Sequence, residues 1–321
     1  MTRKEAVAVP YGALIRQIRE AKHIRLADIA DEQLSVALLS RFERGEADMT
    51  VTKFLHLLHR LHVTPDEFVH RAGKTDEPVR GPVGFFGHFN DFYLQPDTAD
   101  TPASLQAALA QAQHLATETQ TDYQREPSRW HLINWRGAQV HENVLRRYLA
   151  LPTVPVDLHP VQDYLLNLDM WTAVDFQIYA YFLSHLDDEA NRLIWHAAVK
   201  NTAMTQLTSD SAHIILAVGE AQFQSFIVHG RTNDAGDVLK TLAEMVRQQP
   251  LMPHQIHQLF NEGWYAYVTR PAGKSAAVQS MDQAISILTI LHHPFEAKYY
   301  QQLKNKITHA DPRPIIPDIW L

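Results

Sequence analysis

The hydrophobic and polar positions of this chain follow a helical period over most of its length. After Asn233 and Asp234 the apolar residues are spaced by three and four and form one stripe, which comprises Ala235, Val238, Leu239, Leu242, Met245 and Val246. Because Asn and Asp are good N-caps, we predict that a helix begins at one of these two residues. We expect Pro250 and Pro253 to end it.

Similar stripes predict nine further helices after residue 103, and no segment shows the strict alternation of a strand. The predicted helices lie near residues 105–119, 128–149, 161–168, 172–186, 189–207, 212–229, 254–269, 275–292 and 295–307. Sequential helices in pairs, with a period of about 35 to 40 residues, are typical of stacked helical hairpins of the tetratricopeptide type. A plain helical bundle is the alternative, because no residue pattern recurs strictly.

A break in this pattern divides the all-α chain into two unequal parts. Residues 73–102 carry four of the 12 glycines and four of the 17 prolines, a density that does not allow a continuous helix. The same stretch contains an aromatic cluster, which comprises Phe85, Phe86, Phe89, Phe92 and Tyr93. We therefore predict a small domain over residues 1–73, a linker with this cluster over 74–102, and a helical-repeat domain over 103–321.

The small domain contains five predicted short helices, with a helix-turn-helix in the middle. A second helix runs from about Leu26 to Asp31, and Ser35 is placed to cap a third helix over residues 36–44. Gly45 lies just beyond as the helix stop. Two short helices joined by a tight turn, with small and polar residues at the start of the second, are typical of proteins that insert a helix into the DNA major groove.

The third helix carries short apolar and basic side chains that suit contacts with DNA. Val36 and Ala37 are placed to meet a thymine methyl group, and Arg41 can reach guanine or phosphate one turn later. Ser40 suits a bond to phosphate or to the backbone. The full set of predicted DNA contacts is Arg25, Ser35, Val36, Ala37, Ser40, Arg41 and Lys53.

Three other charged residues of the small domain have structural interpretations. Packing of the first helix on the third would bring Arg19 and Glu43 together, so we predict an internal ion pair between them. Arg44 lies near the end of its helix, where a cation interacts favourably with the helix dipole.

Composition and charge place any nucleic-acid binding in the small domain. The net charge is −7, but residues 1–75 hold 12 Lys/Arg against 10 Asp/Glu, or +2, and the remainder holds 17 against 26, or −9. The chain has no cysteine, which excludes disulfides and thiolate metal sites. With no secretory signal pattern and no run of about 20 apolar residues, we expect a soluble cytoplasmic protein without a membrane partner.

The common enzyme motifs are absent from the sequence. No phosphate-binding loop, dinucleotide fingerprint, serine-hydrolase elbow or H-E-x-x-H pair occurs. We therefore expect neither catalysis nor a cofactor.

Histidine is abundant, with 19 residues, but the spacing of these residues does not build a metal site by itself. His56, His59 and His62 are spaced like metal ligands, yet the leucines around them already explain a core helix. The other close pairs, which are no stronger candidates, are His254 with His257 and His292 with His293. We predict no metal site. Protonation of all 19 would change the net charge from −7 to +12, so control of packing or ligand affinity by mild acid is a hypothesis.

Several runs of residues resemble those of a known family. They are Arg19-Glu20 with Lys22 on the first helix, LSRFERGE at 39–46, DYLLNLDMW at 163–171, and residues 283–291 with the helix that follows. Together they resemble the Rgg/GadR/MutR family of transcriptional regulators, within the larger Xre-type group. Many Xre-type domains carry a phosphate-binding Gln where this chain has Leu26, and Arg25 is the candidate replacement.

The resemblance implies a homodimer that regulates promoters. It also implies a short hydrophobic signalling peptide, bound on the concave face of the C-terminal repeats, where amides can bond an extended backbone. The dimer must form without a disulfide. The candidate peptide-binding residues on the predicted inner helices are Lys200, Asn201, Gln222, Ser225 and Trp264. Ordinary surface or core packing is the alternative for each of them.

Two other functions remain open at this point. The first is an antitoxin-like interaction module whose small domain contacts a protein partner, which a salt series would distinguish from DNA binding. The second is an enzyme controlled by an attached DNA-binding domain, which would need clustered ionisable groups in a pocket. In the transcription-factor interpretation, the aromatic segment 85–93 is a hypothetical transmission element between ligand and DNA.

Overall fold

In the computed structural model the chain forms two compact units, Met1–Leu94 and Gln95–Leu321. The residues that the structure describes are 11–72, 102–202, 204 and 207–309. Over these residues the secondary structure is helical with no strand, so the predicted all-α class is confirmed. None of the described helices is long and apolar enough to cross a membrane. The predicted transmission segment 85–93 lies outside the described residues.

The first unit contains five helices over its described residues, as predicted. They are α1 (Tyr11–Ala21), α2 (Leu26–Ile29), α3 (Val36–Glu43), α4 (Val51–Arg60) and α5 (Pro65–Ala72). Ser35 and Thr50 cap α3 and α4, because each side-chain oxygen accepts a backbone N–H of the first turn. Gly45 follows α3 with φ of 73°, a left-handed conformation that glycine adopts without strain.

A small apolar core holds these five helices together. Its fully buried members are Ile15, Ile29, Leu34, Leu39, Leu57, Leu58 and Leu61. Helix α1 crosses α3 so closely at Gly12 that a Cβ atom there would lie 1.8 Å from the carbonyl oxygen of Phe42. Only glycine permits this crossing, which sets the position of α3 relative to α1.

The second unit contains ten helices over its described residues. They are α6 (Pro102–Arg125), α7 (Arg129–Tyr148), α8 (His159–Leu166), α9 (Ala173–Phe182), α10 (Asp188–Lys200), α11 (Ser209–Val228), α12 (Thr232–Gln248), α13 (Met252–Thr269), α14 (Lys274–Ile290) and α15 (Pro294–His309). Each of the ten predicted helices is present, with ends that differ from the prediction by up to seven residues.

Packing in the second unit follows the order of the helices along the chain. Neighbours form antiparallel pairs, most extensively α6 with α7, α11 with α12, and α13 with α14. In addition, α8 packs on α10, α9 on α11, and α11 on α13. Contacts between each helix and the second one along are typical of stacked helical repeats, which favours the predicted tetratricopeptide-like arrangement over a plain bundle.

Two predicted helix boundaries are wrong. Helix α12 begins at Thr232 after an Arg231 N-cap, rather than at Asn233 or Asp234. The carboxylate of Asp234 instead accepts a hydrogen bond from the Arg231 side chain at 2.7 Å, inside the first helical turn. The helix expected over 189–207 ends at Lys200, where Asn201 forms the C-cap.

Candidate functional site

The helix-turn-helix of the first unit is built by local side-chain bonds. The Ser35 hydroxyl accepts the Leu38 N–H at 3.2 Å and so fixes the start of α3. In the turn before it, one carboxylate oxygen of Asp31 accepts the N–H groups of Gln33 and Leu34, at 2.9 and 3.0 Å. Bonds within the motif therefore fix the shape of the turn.

The outer face of α3 carries the residues predicted to contact DNA. Val36 is 45% exposed, and Ala37 and Arg41 are exposed as well, while Leu39 and Phe42 point into the core. The Arg41 guanidinium makes one bond, of 3.3 Å, to the carbonyl oxygen of Glu46. The outer face of α3 therefore presents an apolar patch at its start and, one turn later, a cation with a single hydrogen bond.

Arg44 has a different environment from the one expected at the sequence level. Its guanidinium binds the Glu46 carboxylate through two hydrogen bonds of 2.7 Å and also donates to the Ser40 hydroxyl. Ser40, one of the predicted DNA contacts, thus accepts a hydrogen bond from Arg44. The helix dipole explains why a cation is favourable at Arg44, but it does not predict the bonds of Arg44 to Glu46 and Ser40.

The two remaining predicted phosphate contacts lie at helix starts. Arg25 is exposed at the N-cap of α2 and binds Asp28 through both guanidinium and backbone N–H groups. These bonds lower the pKa of Asp28 to about 2. Lys53 is half-buried in the first turn of α4, where its backbone N–H donates to the Thr50 hydroxyl. The Nη1 atom of Arg25 takes no part in these bonds with Asp28.

The predicted ion pair between the first and third helices is confirmed. Arg19 Nε and Nη2 donate to the two carboxylate oxygens of Glu43 at 2.7 and 2.9 Å, and Nη1 donates to the Ile24 carbonyl at 2.8 Å. The Glu43 side chain is only 5% exposed. The pair joins α1 to α3, so its role in the structure is to position the candidate DNA-contact helix.

The three histidines of α4 and the following turn do not converge on one another. His56 Nε2 lies 2.6 Å from an Asp31 carboxylate oxygen, which links α4 to the turn before α3, and His59 and His62 are exposed. These three residues do not form a potential metal site among the residues that the structure describes.

The five predicted peptide-binding residues do not come together. Lys200 is exposed at the end of α10, and the Asn201 amide donates to the Leu168 carbonyl at 2.7 Å. Gln222, Ser225 and Trp264 are buried, because α11 and the middle of α13 are covered on nearly all sides. As placed, these three side chains belong to the core rather than to a surface that a ligand can reach.

Buried amides of the second unit have polar atoms without hydrogen-bond partners. The Gln222 Oε1 atom accepts the Tyr179 hydroxyl at 2.7 Å, but its Nε2 has no partner. Both amide atoms of Asn261, a fully buried residue of α13, have none. Sequence reasoning missed Asn261, since a single Asn within an apolar helix does not reveal whether its amide is paired.

A cluster of ionisable groups lies between α11 and α13. The two carboxylate oxygens of Glu220 lie 2.7 and 2.9 Å from the Nδ1 atoms of His254 and His257. Burial opposes charge on Glu220, but the two imidazoles outweigh it and hold its pKa well below the usual range. Burial disfavours the charged form of His257 as well, but the facing Glu220 carboxylate outweighs burial and raises the pKa of His257. The sequence had shown only the two histidines.

Comparison with known families accounts for the second unit. Residues 112–302, more than half of the chain, match the family described as "HTH-type transcriptional regulator Rgg, C-terminal domain". The chain belongs to the Rgg family of transcriptional regulators. The matched region runs from within α6 to within α15, so the predicted resemblance in the repeat domain is confirmed.

Three solved structures are similar in fold over most of their length. The SHP pheromone receptor Rgg2 of Streptococcus dysgalactiae is 18% identical, with a TM-score of 0.73, over 92% of this chain and 99% of that chain. A candidate transcriptional regulator of Listeria monocytogenes EGD-e is 18% identical, with a TM-score of 0.75, over 94% and 98%. PrgX in complex with cCF10 is 14% identical, with a TM-score of 0.71, over 96% and 95%. At these identities the likeness concerns the fold.

Proposed function

We propose that this Rgg-family protein is a sequence-specific DNA-binding regulator that acts as a homodimer and responds to a short hydrophobic peptide bound by its helical-repeat unit. The observation that carries the proposal is the exposed face of α3, with Val36, Ala37 and Arg41 outward on a helix-turn-helix that internal bonds already hold rigid. Such a face fits the major groove without rearrangement of its backbone.

Sequence preference and affinity come from different residues in this proposal. Val36 and Ala37 contact base edges, where their small apolar side chains fit a thymine methyl group. Arg25, Ser35, Ser40 and Lys53 bind the phosphates that set the register, and Arg41 reaches guanine or phosphate. Dimerisation places two α3 helices in successive major grooves, about 34 Å apart. Because the chain has no cysteine, packing alone holds the dimer.

Peptide binding is supported by the relatives and by the unpaired amides. Rgg2 is named as a pheromone receptor, and PrgX is known in complex with cCF10. Of the five candidate residues, Lys200 and Asn201 are accessible as they stand, whereas the buried ones, Gln222, Ser225 and Trp264, require an opening of α11 against α13. Asn261 joins them as a candidate, because both of its amide atoms lack partners.

The DNA-binding part is tested with the duplexes that the wild-type protein enriches from a random-sequence pool. The double variant Ala37→Glu, Arg41→Glu places carboxylates against the phosphates and should weaken binding at least about 100-fold. The matched control is Val69→Glu, Arg71→Glu on α5, which has the same charge change at exposed positions of the same unit. The control should bind like the wild type.

A salt series completes this test. Phosphate contacts make log affinity fall linearly with log salt concentration, and Lys53→Ala should make the slope shallower by about one unit. Failure to enrich any duplex, or equal binding by both double variants, would contradict the proposal and favour a protein partner for the small unit.

A further inference from the structure

The cluster of Glu220, His254 and His257 has the composition and the convergence of a metal site. Glu220 lies on α11, and the two histidines lie three residues apart on α13, so they share one face of that helix. One ligand atom from each of the three residues lies within 4.8 Å of the others, and no other such group is found among the described residues.

The distances within the cluster are close to those of a tetrahedral site. The Glu220 oxygens lie 2.7 and 2.9 Å from the histidine Nδ1 atoms. In tetrahedral zinc sites with bonds of about 2.0 to 2.1 Å, neighbouring ligand atoms are about 3.4 Å apart. A metal ion therefore requires the Glu220 oxygens to separate from the two histidine nitrogens by roughly half an ångström, which is within the reach of side-chain rotation.

The rings are held in place by contacts on their other sides. His254 Nε2 lies 2.7 Å from His213 Nδ1, and a hydrogen bond on the second ring nitrogen is the usual arrangement for a histidine that ligates metal. The His257 ring packs against Tyr300 with centroids 5.2 Å apart. The ligands are thus oriented before any ion arrives.

Charge and access also suit a cation. The cluster places the Glu220 carboxylate against two imidazoles in the interior, where an uncompensated charge is costly. A divalent cation compensates this negative charge where water is scarce. The Glu220 side chain is 12% exposed and His213 is half-buried, so one side of the cluster remains open to entry.

We propose that Glu220, His254 and His257 bind one Zn²⁺ ion per chain, with His213 orienting His254. Imidazole and carboxylate together suit Zn²⁺, whereas Mg²⁺ prefers oxygen ligands alone. Three protein ligands leave a fourth position for water. The ion would link α11 to α13 and stabilise the repeat unit independently of DNA or peptide.

The test uses the full-length protein after removal of metals with a chelator. Zn²⁺ is titrated calorimetrically, and Co²⁺ is added to record the visible absorption of a tetrahedral site. The variants are Glu220→Gln, His254→Asn and His257→Asn, in which amides retain a hydrogen-bonding group near the original position but remove the ligand atom. Thermal unfolding of each metal-free variant checks that it is folded.

The matched control removes two histidines with the same spacing but no carboxylate between them. His59 and His62 are both exposed, so His59→Asn with His62→Asn measures the weak binding expected of a histidine-rich surface. This control should keep the wild-type Zn²⁺ site. His213→Asn should weaken it by about 10- to 100-fold, since it loosens the orientation of His254.

The expected result is one Zn²⁺ per wild-type chain, a tetrahedral Co²⁺ spectrum, and a rise in the unfolding temperature with Zn²⁺ that the three ligand variants lose. Mg²⁺ should produce none of these effects. Equal Zn²⁺ affinity in the wild type and the folded ligand variants, or loss of binding in the surface control alone, would overturn the proposal. The cluster would then be a hydrogen-bonded link between two helices and nothing more.

Discussion

The two units of this protein treat buried polar groups in opposite ways. In residues 11–72 no buried side-chain polar atom lacks a hydrogen-bond partner, and the Arg19–Glu43 pair uses both carboxylate oxygens. In the repeat unit, buried Gln222 and Asn261 have unpaired amide atoms. Since an unpaired buried polar group costs about 1–3 kcal/mol, the difference indicates that the first unit has formed its buried hydrogen bonds, whereas the repeat unit still has bonds to form.

Breaking the internal ion pair should have the largest effect on this contrast. Glu43→Ala leaves the buried Arg19 guanidinium without its carboxylate, which we expect to cost about 3–5 kcal/mol of the free energy of unfolding. Urea denaturation measures this loss as a shift in the unfolding transition of the first unit. The exposed pair Arg16–Glu20 provides the control, because Glu20→Ala should change the midpoint little. An equal loss in both variants would mean that the buried pair has no special role.

The crossing of α1 over α3 should be the next most sensitive feature. Gly12→Ala places a Cβ atom against the Phe42 carbonyl and should destabilise the unit by about 1–3 kcal/mol. Gly230→Ala is the comparison variant. At Gly230 the positive φ opposes a side chain, but no neighbouring atom does. DNA affinity measured with the folded fraction should fall for Gly12→Ala alone.

Replacing an unpaired buried amide in the repeat unit should increase stability, whereas the two preceding substitutions decrease it. Asn261→Leu replaces an unpaired amide by an apolar side chain of similar size, so we expect a gain of about 1–2 kcal/mol in stability. If Asn261 bonds a peptide backbone, the same variant should also lose affinity for a synthetic hydrophobic peptide that the wild-type protein binds. A variant that is less stable than the wild type would show that the amide is already satisfied.

Removal of the α3 cap should have a smaller and local effect. Ser35→Ala removes the acceptor of the Leu38 N–H and should cost about 1 kcal/mol, while Ser35→Asp should retain most of the stability. Thermal unfolding distinguishes the two variants. Similar melting temperatures for both would indicate that the turn, rather than the cap, holds the start of α3.

A dependence of stability on pH is expected from the half-buried His185. Burial, together with Arg147, whose Nη2 lies 2.9 Å from its Nε2, lowers the pKa of His185 to about 4 from 6.5. Because the folded-state pKa is the lower one, the unfolded chain binds the proton first, and stability falls as the pH decreases from 6.5 towards 4. His185→Gln should reduce this loss, as melting temperatures across the range would reveal. Parallel pH curves for both proteins would contradict the assignment.

Local patterns allowed the helix-turn-helix to be predicted in detail. Ser35 and Gly45 act within one helical turn of their own positions, and Arg19 meets Glu43 because α1 and α3 are amphipathic helices with a single way to bury their apolar sides. The peptide-binding candidates were harder to place. Helix α11 is buried around most of its circumference, so its sequence does not distinguish a groove position from a core position, as Gln222 illustrates.

By itself, the sequence determined the all-α class, the order of the helices, the Ser35 cap and Gly45 stop of α3, and the outward face of α3, because these depend on residues within a turn or two of one another. The tertiary structure alone decided which buried groups meet across helices. Glu220 is 34 residues from His254, and the two come together only because α11 packs on α13 in one particular rotation. That rotation results from the summed packing of many side chains, which no local spacing records.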